Sequence, residues 1–310
     1  MAEARPFVSV IVPTHGRPAA LAAGLHELGA QTYPRDRFEV LVVADGSDPA
    51  ETRALAECVE AGGARLLHQP HLGPAAARNL GAAHAHGAYL AFTDDDCRPD
   101  PVWLAALVAA LAANPGAGAG GPIVNALPAN PYAAASQALV GYVYAYYNRD
   151  PQRAVFLTSN NLALPAEGFH ALGGFDCALR LAAAEDRDLC DRWGQRGYRL
   201  VYVPEAVVAH APYLTARRFW AQHFRYGRGA HGYHLARRAR GEPPVPVEPP
   251  AFYWNLLRHL ATHAPPRRAA LGALLAVTTQ LANALGFFYE RRRYAAAQAA
   301  QAAVPELTNP

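Results

Sequence analysis

Residues 89–100, YLAFTDDDCRPD, set three carboxylates in a row at the end of an apolar run. Like charges that close repel one another, and each resists leaving water. A strand ending in Asp94, Asp95 and Asp96 therefore needs something outside itself to hold the charge. Mg2+ or Mn2+ takes hard oxygen ligands and binds through one or two carboxylates plus substrate phosphates. A solvated acidic turn is the other reading. The strand-end position, where sheet proteins bind ligands, favours the metal and a diphosphate.

Three further runs upstream resemble the one that leads into these aspartates. FVSVIVP (7–13), FEVLVVADGS (38–47), ARLLHQ (64–69) and AYLAFTDDD (88–96) read as buried strands. Helical stretches follow them, at 18–32 from Pro18, on to about 62, from Pro74 to about 86, and at 100–113. Continuous apolar strands separated by helices predict an α/β fold, a mostly parallel Rossmann-like sheet flanked by helices. The turns Pro13-Thr14-His15, Asp45-Gly46-Ser47 and Asp94-Asp95-Asp96 then fall on one rim.

Beyond about residue 115 the pattern changes. GAGAGGPIVN, the tyrosine-rich stretch Tyr132, Tyr142, Tyr144, Tyr146 and Tyr147, and FLTSNNLAL suggest irregular and antiparallel structure. A helix at 185–196 precedes a strand pair, YRLVYVP and AVVAHAP. A basic amphipathic segment covers 213–240, and GEPPVPVEPP (241–250) reads as an extended linker. Residues 251–294 are helical and apolar, with a frayed tail after about 300. The domain reading is 1–212, then 213–250, then a helical extension over 251–310.

Composition is that of a globular chain: 310 residues, 52% hydrophobic, 17% charged, net charge +3. So small a charge does not demand a nucleic-acid partner. All 28 basic residues are arginine; GC-biased coding explains this, and the planar guanidinium also suits phosphates and carboxylates. Cys58, Cys97, Cys177 and Cys190 lack metal-type spacing and read as thiols of a reducing compartment. The N-terminus runs almost at once into a strand instead of a signal peptide, so a cytoplasmic catalytic part is expected.

Two other segments carry chemistry. In GPAAARNLG (73–81), Pro74 opens a helix and Arg78 lies near its amino end, placed for a diphosphate or simply for the helix surface. In LRLAAAEDRDLCDRWGQRGYRLVYVPEAVVAH, Glu185 and Asp186 open a helix, as dipole-matched caps or as a general base. His210 closes the later strand as a metal ligand or a core histidine, and in isolation the core is favoured.

VSVIVPTHGRP, VLVVADGSDP, GPAAARNLGAAHAHGAYLAFTDDDCRPDPVWL, SNNLALPAEGFHALGGFD and EDRDLCDRWGQRGYRLVYVPEAVVAH together resemble, in that order, the family 2 inverting glycosyltransferases of the GT-A fold. The resemblance covers residue 7 to about 230. It implies that Pro13, Thr14 and Asp45 border the nucleotide base and ribose, and that Arg78 contacts the nucleotide. Asp94 and Asp96 match the Asp-x-Asp motif, with Asp96 on the metal and an earlier carboxylate on ribose. Acidic Asp95 leaves that register ambiguous by one residue, so Asp94 is a candidate for both ribose and metal. His210 matches a histidine that helps hold Mn2+ or Mg2+ in some relatives. Asp186 matches the catalytic base, with Glu185 beside it, and Asn160 and Asn161 match the segment bordering the donor sugar. The implied partners are a nucleotide-sugar, most commonly of UDP, and a carbohydrate or lipid-linked acceptor.

QHFRYGRG (222–229) resembles the Gln-x-x-Arg-Trp element of processive synthases, with Tyr226 in place of tryptophan. One candidate span, against the several such synthases use, argues against processivity. The segment reads as a mobile lid near the diphosphate through Arg225 and Arg228, or as a solvated basic face. Residues 269–289, AALGALLAVTTQLANALGFFY, are uncharged for long enough to span a bilayer. Thr278, Thr279, Gln280 and Asn283 lie mainly off a stripe of Leu271, Leu274, Leu275, Leu281 and Leu285. That asymmetry favours a helix packed on the domain or lying in the membrane interface over a span. The tyrosines of 132–147 are expected in the core rather than against an acceptor sugar.

A sugar-1-phosphate nucleotidyltransferase needs a glycine-rich loop after the first strand and catalytic lysines, where this chain has IVPTHGRP and no lysine. The same turn lacks the GxGxxG of a dinucleotide-binding dehydrogenase. A non-catalytic sugar-nucleotide-binding protein is disfavoured because base and metal carboxylates are both present.

Overall fold

The computed structural model describes residues 5–46, 48–179, 181, 183–263 and 269–302. The four apolar runs form β1 (Val8–Thr14), β2 (Phe38–Asp45), β3 (Arg65–Gln69) and β4 (Tyr89–Phe92). Between them lie α1 (Pro18–Gly29), α2 (Pro49–Ala61) and α3 (Pro74–Ala83), and α4 (Trp103–Ala113) follows. Each start has a local cause. Pro18 and Pro74 sit in the first turn, where a missing N–H costs nothing, and Asp48 closes a capping box with Glu51.

β1 is an inner strand of a seven-stranded sheet, pairing in parallel with β2 and with β4. β8 (Leu162–Pro165), β6 (Gly118–Gly120) and β9 (Leu200–Tyr202) extend it, in the order β3-β2-β1-β4-β8-β6-β9. Only β8 runs against the others, antiparallel to β4 and β6. Every residue of β1 is buried, which is why the run does not alternate.

Burial is two-sided. Trp103, Leu104 and Leu107 of α4 pack with Leu21 and Leu25 of α1 on one face. On the other, Phe92 meets Phe169 of α6 (Ala166–Ala171), Phe175, and Trp193 of α7 (Glu185–Gln195). A second sheet of three short strands, β5 (Cys97–Pro99), β10 (Val208–His210) and β7 (Ile123–Asn125), stands beyond the carboxyl end of β4.

Two expectations change. The tyrosine-rich stretch is a 17-residue helix, α5 (Pro131–Tyr147), not irregular structure. Asn130 caps it by accepting from the Tyr132 and Ala133 amides, with Pro131 in the first turn; strong capping and packing on neighbouring helices override the weak helix propensity of tyrosine. Tyr144 is buried, whereas Tyr146 and Tyr147 donate to Glu248 of the linker. The strands around 200 and 208 do not pair with each other: β9 completes the large sheet, and β10 lies in the small one.

The C-terminal part is helical: α8 (Ala216–Ala239), α9 (Pro250–His263) and α10 (Ala269–Ala302). α10 lies along α8 and also touches α9 and α5. A Cβ at Gly227 would clash with the Asn283 carbonyl and one at Gly286 with the Phe224 carbonyl, so the α8–α10 contact is backbone to backbone. Leu275, Ala276, Thr279 and Ala282 face inward. Leu274, Val277, Leu281, Leu285 and Phe288 are exposed, so only part of the expected leucine stripe packs. The frayed tail expected after residue 300 falls mostly outside the described residues.

Candidate active site

The turns after β1, β2 and β4 meet on one rim, as expected, with Ser47 outside the described residues. Thr14 Oγ1 donates to Asp95 Oδ2 at 2.8 Å, and His15 Nδ1 lies 2.7 Å from the Asp45 carbonyl oxygen. Arg17, one turn past β1, reaches both later aspartates: Nη2 stands 2.6 Å from Asp95 Oδ1 and Nη1 2.7 Å from Asp96 Oδ2. Asp95 has no exposed surface. Burial pushes its carboxyl up to about 7, against the pull of Arg17 and Thr14.

β5 pairs antiparallel with β10, with His210 opposite Cys97. That register sets His210 Nε2 3.3 Å from Asp96 Oδ1. Burial alone would lower the His210 pKa, but the hydrogen bond and charge of Asp96 raise it. Burial likewise pushes Asp96 up, and His210 and Arg17 outweigh it to hold the carboxylate well below its usual range. Asp96, Cys97 and His210 each offer a ligand atom within 4.8 Å of the others. Burial raises the Cys97 thiol well above its ordinary value. A carboxylate oxygen and an imidazole nitrogen facing each other at the rim fit a divalent cation. Asp94 is held elsewhere.

Its partner is Arg78, 3% exposed, which donates Nη2 to Asp94 Oδ1 at 2.7 Å and Nη1 to Glu185 Oε1 at 3.0 Å. One buried guanidinium thus ties the end of β4 to the start of α7. Glu185 is buried and its Oε2 has no hydrogen-bond partner in the protein. Desolvation, then the charge of Asp186, pushes Glu185 up to about 7. Asp186 is also raised by burial, while backbone N–H groups of Arg187, at 2.7 Å, and Ser159 oppose the rise.

The turn before this pair is strained. Ala184 has φ +74°, the only non-glycine in the left-handed region among the described residues. A Cβ on Gly229 of α8 would lie 2.5 Å from the Ala183 carbonyl oxygen, so only glycine lets α8 approach the turn. Three residues earlier on α8, the Tyr226 hydroxyl is held above its ordinary pKa by burial and then by the charge of Asp186.

Other predicted residues have internal duties. Pro13 is buried in β1 opposite Val43. The Asp45 carboxylate accepts from Gln69 Nε2 at 2.7 Å, from the Leu72 amide at 2.8 Å and from the Gly73 amide at 3.0 Å, shaping the loop into α3. Gly73, at φ +94°, makes that loop possible. Asn161 is fully buried: Oδ1 accepts from Trp103 Nε1 at 2.8 Å, and Nδ2 donates to the Pro122 and Ala206 carbonyls. Asn160 accepts from Thr158 Oγ1. Gln222–Gly229 lies inside α8; Arg225 is exposed, and Arg228 donates to Glu290 of α10 at 2.6 Å. Positions two apart on a helix point nearly opposite ways, so presenting Tyr226 to the carboxylates turns Arg228 away.

Arg17 is the site residue that sequence reasoning missed. Its only signal was an arginine shortly past a polar strand end, in THGRP.

A mostly parallel sheet with carboxylates gathered at its strand ends, and a small second sheet delivering a histidine to them, is the GT-A arrangement. Residues 9–171 match the glycosyl transferase family 2 profile, and the chain belongs to that family. It is 30% identical over 231 residues, 72% of its length, to the pre-mycofactocin glycosyltransferase of Mycobacterium tuberculosis. Over 107 residues, 34% of its length, it is 37% identical to glycosyltransferase AglE of Haloferax volcanii. The chain spans 46% of the first relative and 35% of the second. Among solved structures, the mannosyltransferase PcManGT from Pyrobaculum calidifontis, in complex with GDP-Man and Mn2+, superposes with a TM-score of 0.57. The alignment covers 90% of this chain and 87% of that one at 21% identity, a likeness of fold.

Proposed function

We propose that the chain is a metal-dependent inverting glycosyltransferase, moving a sugar from a nucleotide-sugar to an acceptor hydroxyl. The observation that carries this reading is the Arg78 bridge, which holds the Asp186 turn beside the carboxylates at the end of β4. Asp186 is the base: a carboxylate whose pKa burial has raised is a better proton acceptor than a solvated one. It takes the acceptor proton as the hydroxyl attacks in line at the anomeric carbon, opposite the leaving diphosphate. One displacement without a covalent intermediate inverts configuration. Asp96 and His210 would hold the cation, which neutralises the leaving diphosphate. A mixed oxygen and nitrogen donor pair suits Mn2+ better than Mg2+, which demands a near-ideal octahedron of oxygens. Asp94 or Asp95 serves the ribose, and Asn160 borders the donor sugar. The catalytic unit is assigned to residues 1–212, with α8 and the linker as a brace and α9–α10 as an extension.

We assign the acceptor side to a membrane surface. α10 contains a segment, Ala270–Ala299, long and apolar enough to cross a membrane, its most apolar 18 residues reaching a mean hydropathy of 1.5. Its buried face packs on α8, α9 and α5, and its exposed face carries Leu274, Val277, Leu281, Leu285 and Phe288. At 3.6 residues per turn these five fall within an arc of about 80°. Arg291, Arg292 and Arg293 follow at once and are exposed. Such a stripe with a cationic end matches the interface of an anionic bilayer, which suits a lipid-linked acceptor.

A thermal-shift panel of UDP, GDP and dTDP, each with and without Mn2+, tests the donor site. UDP with Mn2+ is expected to raise Tm most. No metal-dependent stabilisation by any nucleotide overturns the reading. Asp186→Asn is expected to lose turnover by about 10³-fold or more while keeping nucleotide affinity; normal turnover in that variant would give the base role to another group.

A further inference from the structure

The carboxylates of Asp95 and Asp96 each have one oxygen fixed by the protein and one given to Arg17. Thr14 holds Asp95 Oδ2 and His210 faces Asp96 Oδ1, while Arg17 takes Asp95 Oδ1 and Asp96 Oδ2. The two aspartates are nearly sealed, at 0% and 13% side-chain exposure, whereas Arg17 is 52% exposed. Arg17 also precedes α1 in a turn and gives that helix no side-chain cap, so its side chain can leave without unmaking an element. A guanidinium there supplies the positive charge that two sealed carboxylates require. It also stands where a second cation would have to approach.

We propose that Arg17 is a built-in counter-cation, which must vacate the Asp95–Asp96 pair for a divalent metal to bind and then moves to the diphosphate of the nucleotide. This rests on reading Asp96 and His210 as the metal site. Metal alone has to displace Arg17 into water, and so binds weakly. A diphosphate offers the displaced guanidinium a bidentate anionic partner, so nucleotide and metal strengthen each other's binding beyond their direct contact. The coupling is reciprocal: whatever factor the nucleotide adds to metal affinity, the metal adds to nucleotide affinity. In its resting form the negative charge of the pair is thereby partly offset and the site is guarded against adventitious cations.

The test is Mn2+ binding to the full chain, followed by the EPR signal of free Mn2+, without nucleotide and with saturating UDP or GDP. Wild type, Arg17→Gln and Arg17→Lys are compared, with Asp96→Asn as control. Without nucleotide, Arg17→Gln is expected to bind Mn2+ about tenfold tighter than wild type, with Arg17→Lys in between because its single ammonium cannot span both carboxylates. With nucleotide the gain over the metal-only affinity is expected to shrink in the same order. A flat or reversed order across the variants overturns the inference. If Arg17→Gln does not fold, Arg17→Lys decides alone: equal or weaker Mn2+ binding than wild type refutes the displacement. Failure of the site reading looks different, since Asp96→Asn would then leave Mn2+ binding unchanged.

Discussion

Arg78 and Glu185 meet at 3.0 Å across 107 positions of sequence, both nearly sealed from solvent. The contact joins α3 to the first turn of α7, which carries Asp186, the proposed base. It is a direct link between the end of β4, through Asp94, and the start of α7.

Arg78→Met should therefore be costly. It leaves Asp94 and Glu185 without their shared cation, and removing one partner of a buried ion pair typically costs about 3–5 kcal/mol. Urea denaturation at pH 8 is the measurement, with Arg78→Lys expected to lose less because it keeps one of the two contacts. A loss below about 1 kcal/mol for the methionine variant would show the cluster to be solvated.

Glu185 gives a pH signature with a definite sign. Its carboxyl titrates near 4.5 when free and is pushed up to about 7 in the fold, so folding favours the protonated form. The stability it contributes is complete below pH 4.5 and is lost as pH rises toward 7. Glu185→Gln should remove that slope: the variant and wild type should differ little at pH 4.5, with the variant more stable at pH 8. Parallel stability curves between these values would place the raised pKa elsewhere.

Ala184 holds a left-handed backbone without being glycine. Ala184→Gly should relieve about 1–2 kcal/mol of steric cost and give back part of it to the freer unfolded chain, a net gain of about 0.5–1 kcal/mol. The urea midpoint reads this directly. A drop in stability would mean that the Ala184 methyl packs more usefully than its backbone strains.

The exposed stripe of α10 predicts flotation with vesicles. Wild type should float with vesicles containing anionic lipid, less with neutral ones and less at high salt. Leu281→Glu with Leu285→Glu should abolish flotation while leaving Mn2+ and nucleotide binding intact, because both side chains are more than half exposed at 54% and 53%. Unchanged flotation of the double variant would assign the stripe to something other than lipid.

The sheet was legible because buried parallel strands leave uninterrupted apolar runs, and turn residues mark where each stops. Thr14, Asp95 and Asp96 could be placed on one rim from that pattern alone. α5 was not, since five tyrosines suggest strand or irregular chain, although Asn130-Pro131 is a helix start. Asp45 and Asn161 show a second limit. Their residue types fit ligand contacts, but the hydrogen bonds that occupy them come from Gly73 and Trp103, and no local spacing announces those partners. Arg17 escaped for the same reason, its carboxylates lying 79 residues away in sequence.

The glycines of α8 have a mechanical meaning. At Gly229 the helix rests against the Ala183 carbonyl, and at Gly227 against that of Asn283, with no flexible side chain between them to deform. Backbone in contact with backbone has no slack, so α8 acts as a gauge block between α10 and the turn that carries Asp186. The distance from the apolar foot of the molecule to Asp186 is thus set to a fixed height. Substituting either glycine would force that spacing open, since the added Cβ would clash with the Asn283 oxygen or lie 2.5 Å from that of Ala183.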